Sequence, residues 1–160
     1  MTQNEKMGPI PNWDEYFIKI AEAVSLRSKD PSVKVGCVIV GPDKEIRTTG
    51  YNGMPRKIYE RGEWTSRWER PLKYQVIIHS EENAIFQAAR IGVSLRGCSL
   101  YLNTNAVPCH QCARAIIQAG IIRVVGPDKK FPSTQDWQES LDLSEKILGE
   151  AGVKIERVAS

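Results

Sequence analysis

The sequence predicts a three-layer α/β/α domain around a mixed, roughly five-stranded sheet. Three observations carry that reading. Helical and extended patterns alternate along most of the chain, which calls for helices packed on a sheet. The run from Val35 to Val40 is almost continuously apolar, as in a strand buried on both faces. A turn and a second extended segment follow it, so the sheet opens with an antiparallel hairpin and is mixed. With 160 residues, one domain over 1–160 with a single substantial core is expected.

Taken in order, residues 1–11 are polar, carry Pro9 and Pro11, and read as a loose arm. Asn12 then caps a helix, with Glu15 three residues on to complete a capping box. Trp13, Tyr16, Phe17, Ile20 and Val24 share a helical spacing, so a helix over 13–27 with this stripe in the core is expected. Pro31 ends it, because proline disfavours helical geometry just before itself. After the strand at 35–40, Gly41-Pro42-Asp43-Lys44 forms the turn and 45–51 the second strand. Asn52-Gly53-Met54-Pro55 closes that strand with strong turn chemistry.

From 56 to 74 the pattern is irregular, with Arg56, Lys57, Arg61, Arg67, Arg70 and Lys73 among Tyr59, Trp64 and Trp68. A connection of this length is functional or disordered. Two readings stand: a solvated loop pinned by its tryptophans, or a lid whose cations meet an anionic substrate. Segment 76–78 is too short to class. Beyond it, a helix runs from His79 to Ile91 with Gly92 as its stop. A strand over 98–102, a helix over 109–119 ended by Gly120 and a strand over 121–125 follow. Ser133 caps a last helix through Asp136, Trp137, Leu141 and Leu148, ended by Gly152. The alternation over 153–158 marks a final half-exposed strand.

Composition narrows the function. Apolar and charged shares of 41% and 26% are those of an ordinary globular chain, and a net charge of +3 is too small to argue for nucleic acid. No apolar run reaches membrane-spanning length, and the opening MTQNEKMGPIPNW lacks an export signal, so no membrane and a cytoplasmic location are expected. Four cysteines, two of them three positions apart, fit metal binding better than a disulfide framework.

The chemistry gathers in two short stretches, His79-Ser80-Glu81 and Pro108-Cys109-His110-Gln111-Cys112, each at the start of a helical pattern. Helix starts expose unpaired N–H groups and the positive end of the helix dipole, which favour thiolates. Brought together, the two starts supply one imidazole and two thiolates, three ligands for zinc with a fourth position open to water. Cys109 and Cys112 could instead be a redox pair, or half of a closed zinc site completed by Cys37, Cys98 or His110. The two strand cysteines read better as small core residues, and His110 points off the Cys109/Cys112 face. Glu81 shares the core-facing stripe of Ala84, Ile85 and Ala88, whereas Glu82 suits a first-turn carboxylate.

These stretches resemble a known family. The pattern H-x-E followed by P-C-x-x-C is similar to the zinc-dependent nucleobase deaminases. Trp13 to Phe17, Arg27-Ser28-Lys29-Asp30-Pro31, Gly50-Tyr51-Asn52-Gly53-Met54-Pro55 and the two zinc stretches resemble deoxycytidylate deaminases, over roughly 13–125. The resemblance implies a cytidine deaminase-like fold and a zinc enzyme converting dCMP to dUMP. It also implies a homo-oligomer, usually a hexamer, with dCTP and dTTP as effectors and Mg2+ accompanying a triphosphate. It implies one zinc per chain on His79, Cys109 and Cys112, with Glu81 as proton shuttle. It further implies substrate contacts at Asn52, Pro108 and Arg114, and effector contacts at Ser28, Lys29, Asn52 and Gly53. Ser80 stands where the family usually has alanine, and 103–107 reads as longer than the family norm. Rival readings are dCTP, a 5-modified deoxycytidylate or tRNA adenosine as substrate, and a zinc-stabilised binding module without turnover.

Overall fold

The computed structural model describes residues 8–58, 67–130 and 134–159. The first seven residues of the expected arm, together with Tyr59, Arg61, Trp64 and Ser133, lie outside the described residues. Five strands, β1 (Gly36–Val40), β2 (Ile46–Tyr51), β3 (Ser99–Leu102), β4 (Arg123–Pro127) and β5 (Lys154–Val158), form one sheet in the order β2-β1-β3-β4-β5. β1 pairs antiparallel with β2 and with β3, whereas β3, β4 and β5 run parallel, so the sheet is mixed as expected.

The helices are α1 (Trp13–Ser25), α2 (Leu72–Val76), α3 (Ser80–Ile91), α4 (His110–Gln118) and α5 (Gln135–Glu150). α1 covers one face, where Phe17 and Ala21 meet Val38, Val40, Tyr101 and Val125. The opposite face carries the larger core, in which Cys37, Ile39, Leu100 and Val124 meet Ala84 of α3 and Ile116 of α4. β1 feeds both layers alternately, which is why its sequence is apolar throughout.

The local signals hold with informative exceptions. The Asn12–Glu15 capping box closes α1, but Trp13 and Tyr16 are 54% and 42% exposed, so the core part of the stripe is Phe17 with Ile20 and Val24 packed beside it. Trp13 instead stacks on Phe17 at 5.7 Å. The cap of α5 is Thr134, whose hydroxyl accepts the Trp137 N–H at 3.4 Å, while the helix ends at Glu150 with left-handed Gly152 as the expected stop. The far end of the irregular 56–74 stretch forms the one-turn α2, which the sequence pattern did not reveal.

On the α1 side, Arg123 grips both carboxylate oxygens of Asp14 at 3.1 and 2.7 Å and also reaches Tyr101 and Glu156. This ties the start of α1 to β3, β4 and β5. The guanidinium holds Asp14 below the usual carboxylate range, while burial and then Asp14 push the Tyr101 phenol up to about 12.

The contact that positions the site is between α3 and β2. A side-chain carbon at Gly50 would lie 2.3 Å from the Ser80 carbonyl oxygen and 2.4 Å from the Ala84 nitrogen, both backbone atoms. The Thr48 hydroxyl donates to the Ala84 carbonyl at 3.0 Å, and the Asn83 amide to the Tyr51 carbonyl at 2.6 Å. The first turns of α3 therefore sit directly on the strand. Gly50→Ala should force them apart and cost about 1–3 kcal/mol, read as a lowered Tm by calorimetry. Gly149→Ala, with no neighbour within 4 Å of the added carbon, should leave Tm unchanged or slightly raised. An unchanged Tm for Gly50→Ala would contradict the close approach.

Candidate metal centre and active site

Both helix starts lie at the same end of the strands, where β2 and β3 finish and β1 begins. β3 ends at Leu102, and Asn103 continues its pairing by accepting the Gly36 N–H at 2.8 Å. The next residues pass so close to β4 that a side-chain carbon on Gly126 would meet the Asn105 carbonyl oxygen at 2.4 Å. This close passage delivers buried Pro108 and then Cys109, which is the N-cap of α4. The Cys109 sulfur accepts the Cys112 N–H at 3.5 Å, taking the place a serine or aspartate oxygen holds at many helix starts. His79 is the N-cap of α3 and makes no side-chain cap. An isolated bridge fixes the residue before it, with Gly53 and Ile78 exchanging N–H···O bonds of 3.1 and 2.9 Å.

The His79 ring instead faces the thiols. Its Nδ1 lies 3.3 Å from the Cys109 sulfur and 3.4 Å from the Cys112 sulfur, and all three ligand atoms fall within 4.8 Å of one another. Zinc bonds of about 2.3 Å to sulfur and about 2.0–2.1 Å to nitrogen, at a tetrahedral angle, put nitrogen and sulfur about 3.5 Å apart. The three residues thus fit one zinc ion with little movement.

Their electrostatics prepare them for a cation. A hydrogen bond from the Cys112 thiol, then His79, push the Cys109 thiol down to about 4. Its bond to Cys109 pushes His79 up to about 9 against the opposing effect of burial. Cys112, which donates to Cys109 and is buried, is pushed well above its ordinary value. The chain therefore holds a thiolate–imidazolium pair beside a thiol, and a metal ion must displace the protons on His79 and Cys112.

Glu81, in the first turn of α3, is 6% exposed. Burial raises its pKa, which His79 and the Ser80 hydroxyl counteract. That hydroxyl donates to Glu81 Oε2 at 2.9 Å, so the residue standing in place of the usual alanine touches the carboxylate. A buried carboxylate of raised pKa beside a metal trio, without being a ligand, is suited to carrying protons near neutral pH.

The remaining expected site residues divide. Asn52 is buried, and both its amide hydrogens are taken, by the Val33 carbonyl at 2.8 Å and Asp30 Oδ2 at 3.2 Å. Its Oδ1 accepts the Val35 N–H at 2.8 Å. The Asn52 side chain therefore braces the 28–35 loop, and what it retains for a ligand is one lone pair. Ser28 is likewise buried, donating to the Asn52 carbonyl at 2.8 Å. Gly53 is buried in its bridge to Ile78, and Lys29 is exposed. Arg114 is exposed in a groove with His110, Ile117 and Leu143 between α4 and α5. Lys73, expected among the phosphate-binding cations, is instead buried in an ion pair with Asp30 at 2.8 Å.

Other residues were not anticipated. The Trp137 ring stands edge-on to His79 at 6.4 Å, and the Ser140 hydroxyl lies 2.7 Å from His110 Nδ1. α5 thus backs both zinc stretches, with His110 engaged there. Cys37 and Cys98 are fully buried, and burial pushes the Cys37 thiol up, as befits a core residue.

One consequence is measurable without turnover. With Cys109 already ionised and His79 and Cys112 protonated, zinc binding to the metal-free protein at pH 7 should release about two protons per ion. A pH indicator or calorimetry in buffers of different ionisation enthalpy gives the number. Release of none would contradict the assigned protonation.

Comparison with known proteins agrees with this geometry. The family described as cytidine and deoxycytidylate deaminase zinc-binding region matches residues 11–126. A deaminase of unassigned substrate from Aliivibrio fischeri is 36% identical over 146 residues, covering 91% of this chain and 93% of that protein. Deoxycytidylate deaminase from Mus musculus is 38% identical over 127 residues, covering 78% of this chain and 69% of that protein. The crystal structure of dCMP deaminase from the cyanophage S-TIM5, in complex with dCMP and dUMP, superposes with a TM-score of 0.70 at 26% identity. It covers 94% of this chain and 100% of that one. Matched through both helix starts and carrying the three ligands within reach of one ion, this chain belongs to the cytidine and deoxycytidylate deaminase zinc-binding family.

Proposed function

We propose that the chain hydrolyses dCMP to dUMP and releases ammonia. The observation that carries this reading is Glu81, buried beside the His79/Cys109/Cys112 trio and spared from ligation. A purely structural metal site has no use for such a carboxylate. When bound, zinc supplies a Lewis acid that makes water a nucleophile at neutral pH. Glu81 would take a proton from the attacking water and deliver it to N3 of the pyrimidine, which opens C4 to attack. With hydroxide added at C4, Glu81 would take the remaining proton of that hydroxyl and pass it to the amino group, which leaves as ammonia as the C4 carbonyl forms.

The dCMP complex of the cyanophage relative and the deoxycytidylate deaminases among the relatives support a 5′-phosphorylated substrate. Lys29, Arg56 and Lys57 stand exposed on segments next to Asn52 and are the candidates for that phosphate. One zinc per chain and a reducing cytoplasmic setting fit four free cysteines. A homo-oligomer, usually a hexamer, is proposed on resemblance alone. Regulation by dCTP and dTTP, with Mg2+ on the triphosphate, rests on resemblance alone. Lys29 is the effector candidate with an exposed charge.

Glu81→Gln keeps the shape but cannot accept a proton. It should retain zinc while kcat on dCMP falls by about a hundredfold or more, and Glu82→Gln should be mild. Steady-state assays of ammonia release, with metal analysis of each variant, decide this. Equal loss in both variants, or equal kcat/KM for deoxycytidine and dCMP, would contradict the proposal.

A further inference from the structure

The zinc trio and Glu81 leave a second buried polar cluster unused. Ser28, Asp30, Asn52 and Lys73 are 2%, 4%, 6% and 6% exposed, drawn from three separate stretches of chain. Asp30 Oδ1 accepts the Lys73 ammonium at 2.8 Å and the N–H groups of Ser32 and Val33 at 2.8 and 3.3 Å. Asp30 Oδ2 accepts from the Asn52 amide at 3.2 Å, and Ser28 joins the Asp30 backbone N–H, at 3.2 Å, to the Asn52 carbonyl. The Lys73 ammonium also lies over the Trp68 ring, 6.0 Å from its centroid.

A buried ion pair is weak as a source of stability, because desolvating both charges offsets most of their attraction. Position is the better account of this one. Lys73 belongs to α2, which at five residues is too short to hold itself together. The Lys73 carbonyl accepts the Ile77 N–H at 2.9 Å, Ile78 bridges Gly53, and the next residue is the zinc ligand His79. The chain entering His79 is thus fastened at two points, the Lys73 ammonium and the Ile78 bridge. The first ends on Asp30, which the Asn52 amide also holds, and the second on Gly53, so both lead to one turn.

We propose that Lys73 is a positioning residue for the zinc ligand His79 and for the turn at 52–54, acting through Asp30 and Asn52. The assignment rests on the deaminase reading for its effect on substrate, but not for its effect on zinc. Removing the ammonium leaves the 67–78 segment unlatched and the His79 ring less well aimed at Cys109 and Cys112.

The test compares wild type, Lys73→Met and the double variant Asp30→Asn with Lys73→Met in the full-length protein. Zinc affinity is read by chelator competition, kinetics with dCMP at saturating zinc, and Tm by calorimetry. Lys73→Met should weaken zinc binding about tenfold or more, the range seen for outer partners of metal ligands, and raise KM more than it lowers kcat. The double variant buries no unpaired charge, so it should regain part of the lost Tm, though its new amide meets the Asn52 donor, while zinc binding and KM stay impaired. Lys73→Arg, which keeps the charge, should recover part of both. A Lys73→Met protein that loses Tm but binds zinc within twofold of wild type (about the uncertainty of such context-dependent effects) would overturn the proposal. So would a double variant restored in every respect. Should Lys73→Met not fold, the double variant alone decides by its zinc affinity. A wild-type protein inactive on dCMP would count against the deaminase reading, while the zinc measurements would still test Lys73.

Discussion

A thiolate and an imidazolium 3.3 Å apart attract each other, but their attraction does not choose the geometry a metal needs. That geometry comes from two helix starts held at fixed distance by backbone contacts. α4 begins where the 103–108 segment is pressed against Gly126, and α3 begins where its first turns are pressed against Gly50. At each place the missing side chain lets two backbones approach closer than any other residue would allow. The ligands then sit at or just inside the helix starts, where free N–H groups favour anionic sulfur. Glu81 shares the arrangement, because the face of α3 that meets β2 and the core also turns its carboxylate inward.

A second layer of support surrounds this frame. α5 brings Trp137 to His79 and Ser140 to His110. The Asp30–Lys73 cluster ties α2 and the Asn52 turn to the loop that follows α1. These contacts place no atom in the trio itself. They restrict the freedom of the residues that do, which is the usual work of outer partners around a metal.

The sequence revealed what short-range chemistry determines. The hairpin, the α1 capping box and the Gly92 stop follow from spacing within a few residues, whereas the grouping of His79, Cys109 and Cys112 was legible through a paired motif whose halves lie 30 residues apart. The role of Lys73 was hidden because a lysine in an irregular basic stretch reads as solvated, and its partner lies 43 residues earlier. Asn52 was expected at the nucleotide from the family resemblance; its amide also braces residues 30, 33 and 35, a structural role that the sequence did not reveal. Ser140 and Trp137 lie past the stretch of clear resemblance, and helical spacing alone cannot say which helix start they reach. Ser80 looked like a minor change until its hydroxyl was found on Glu81.

The central claim is that three protein ligands hold zinc and leave one position open beside Glu81. X-ray absorption at the zinc edge of the purified protein tests it directly. The account predicts two sulfur atoms at about 2.3 Å, with one imidazole nitrogen and one light-atom ligand from solvent at about 2.0–2.1 Å. A shell of three or four sulfurs, drawing in Cys37 or Cys98, or a second imidazole from His110, would mean a closed site and contradict it.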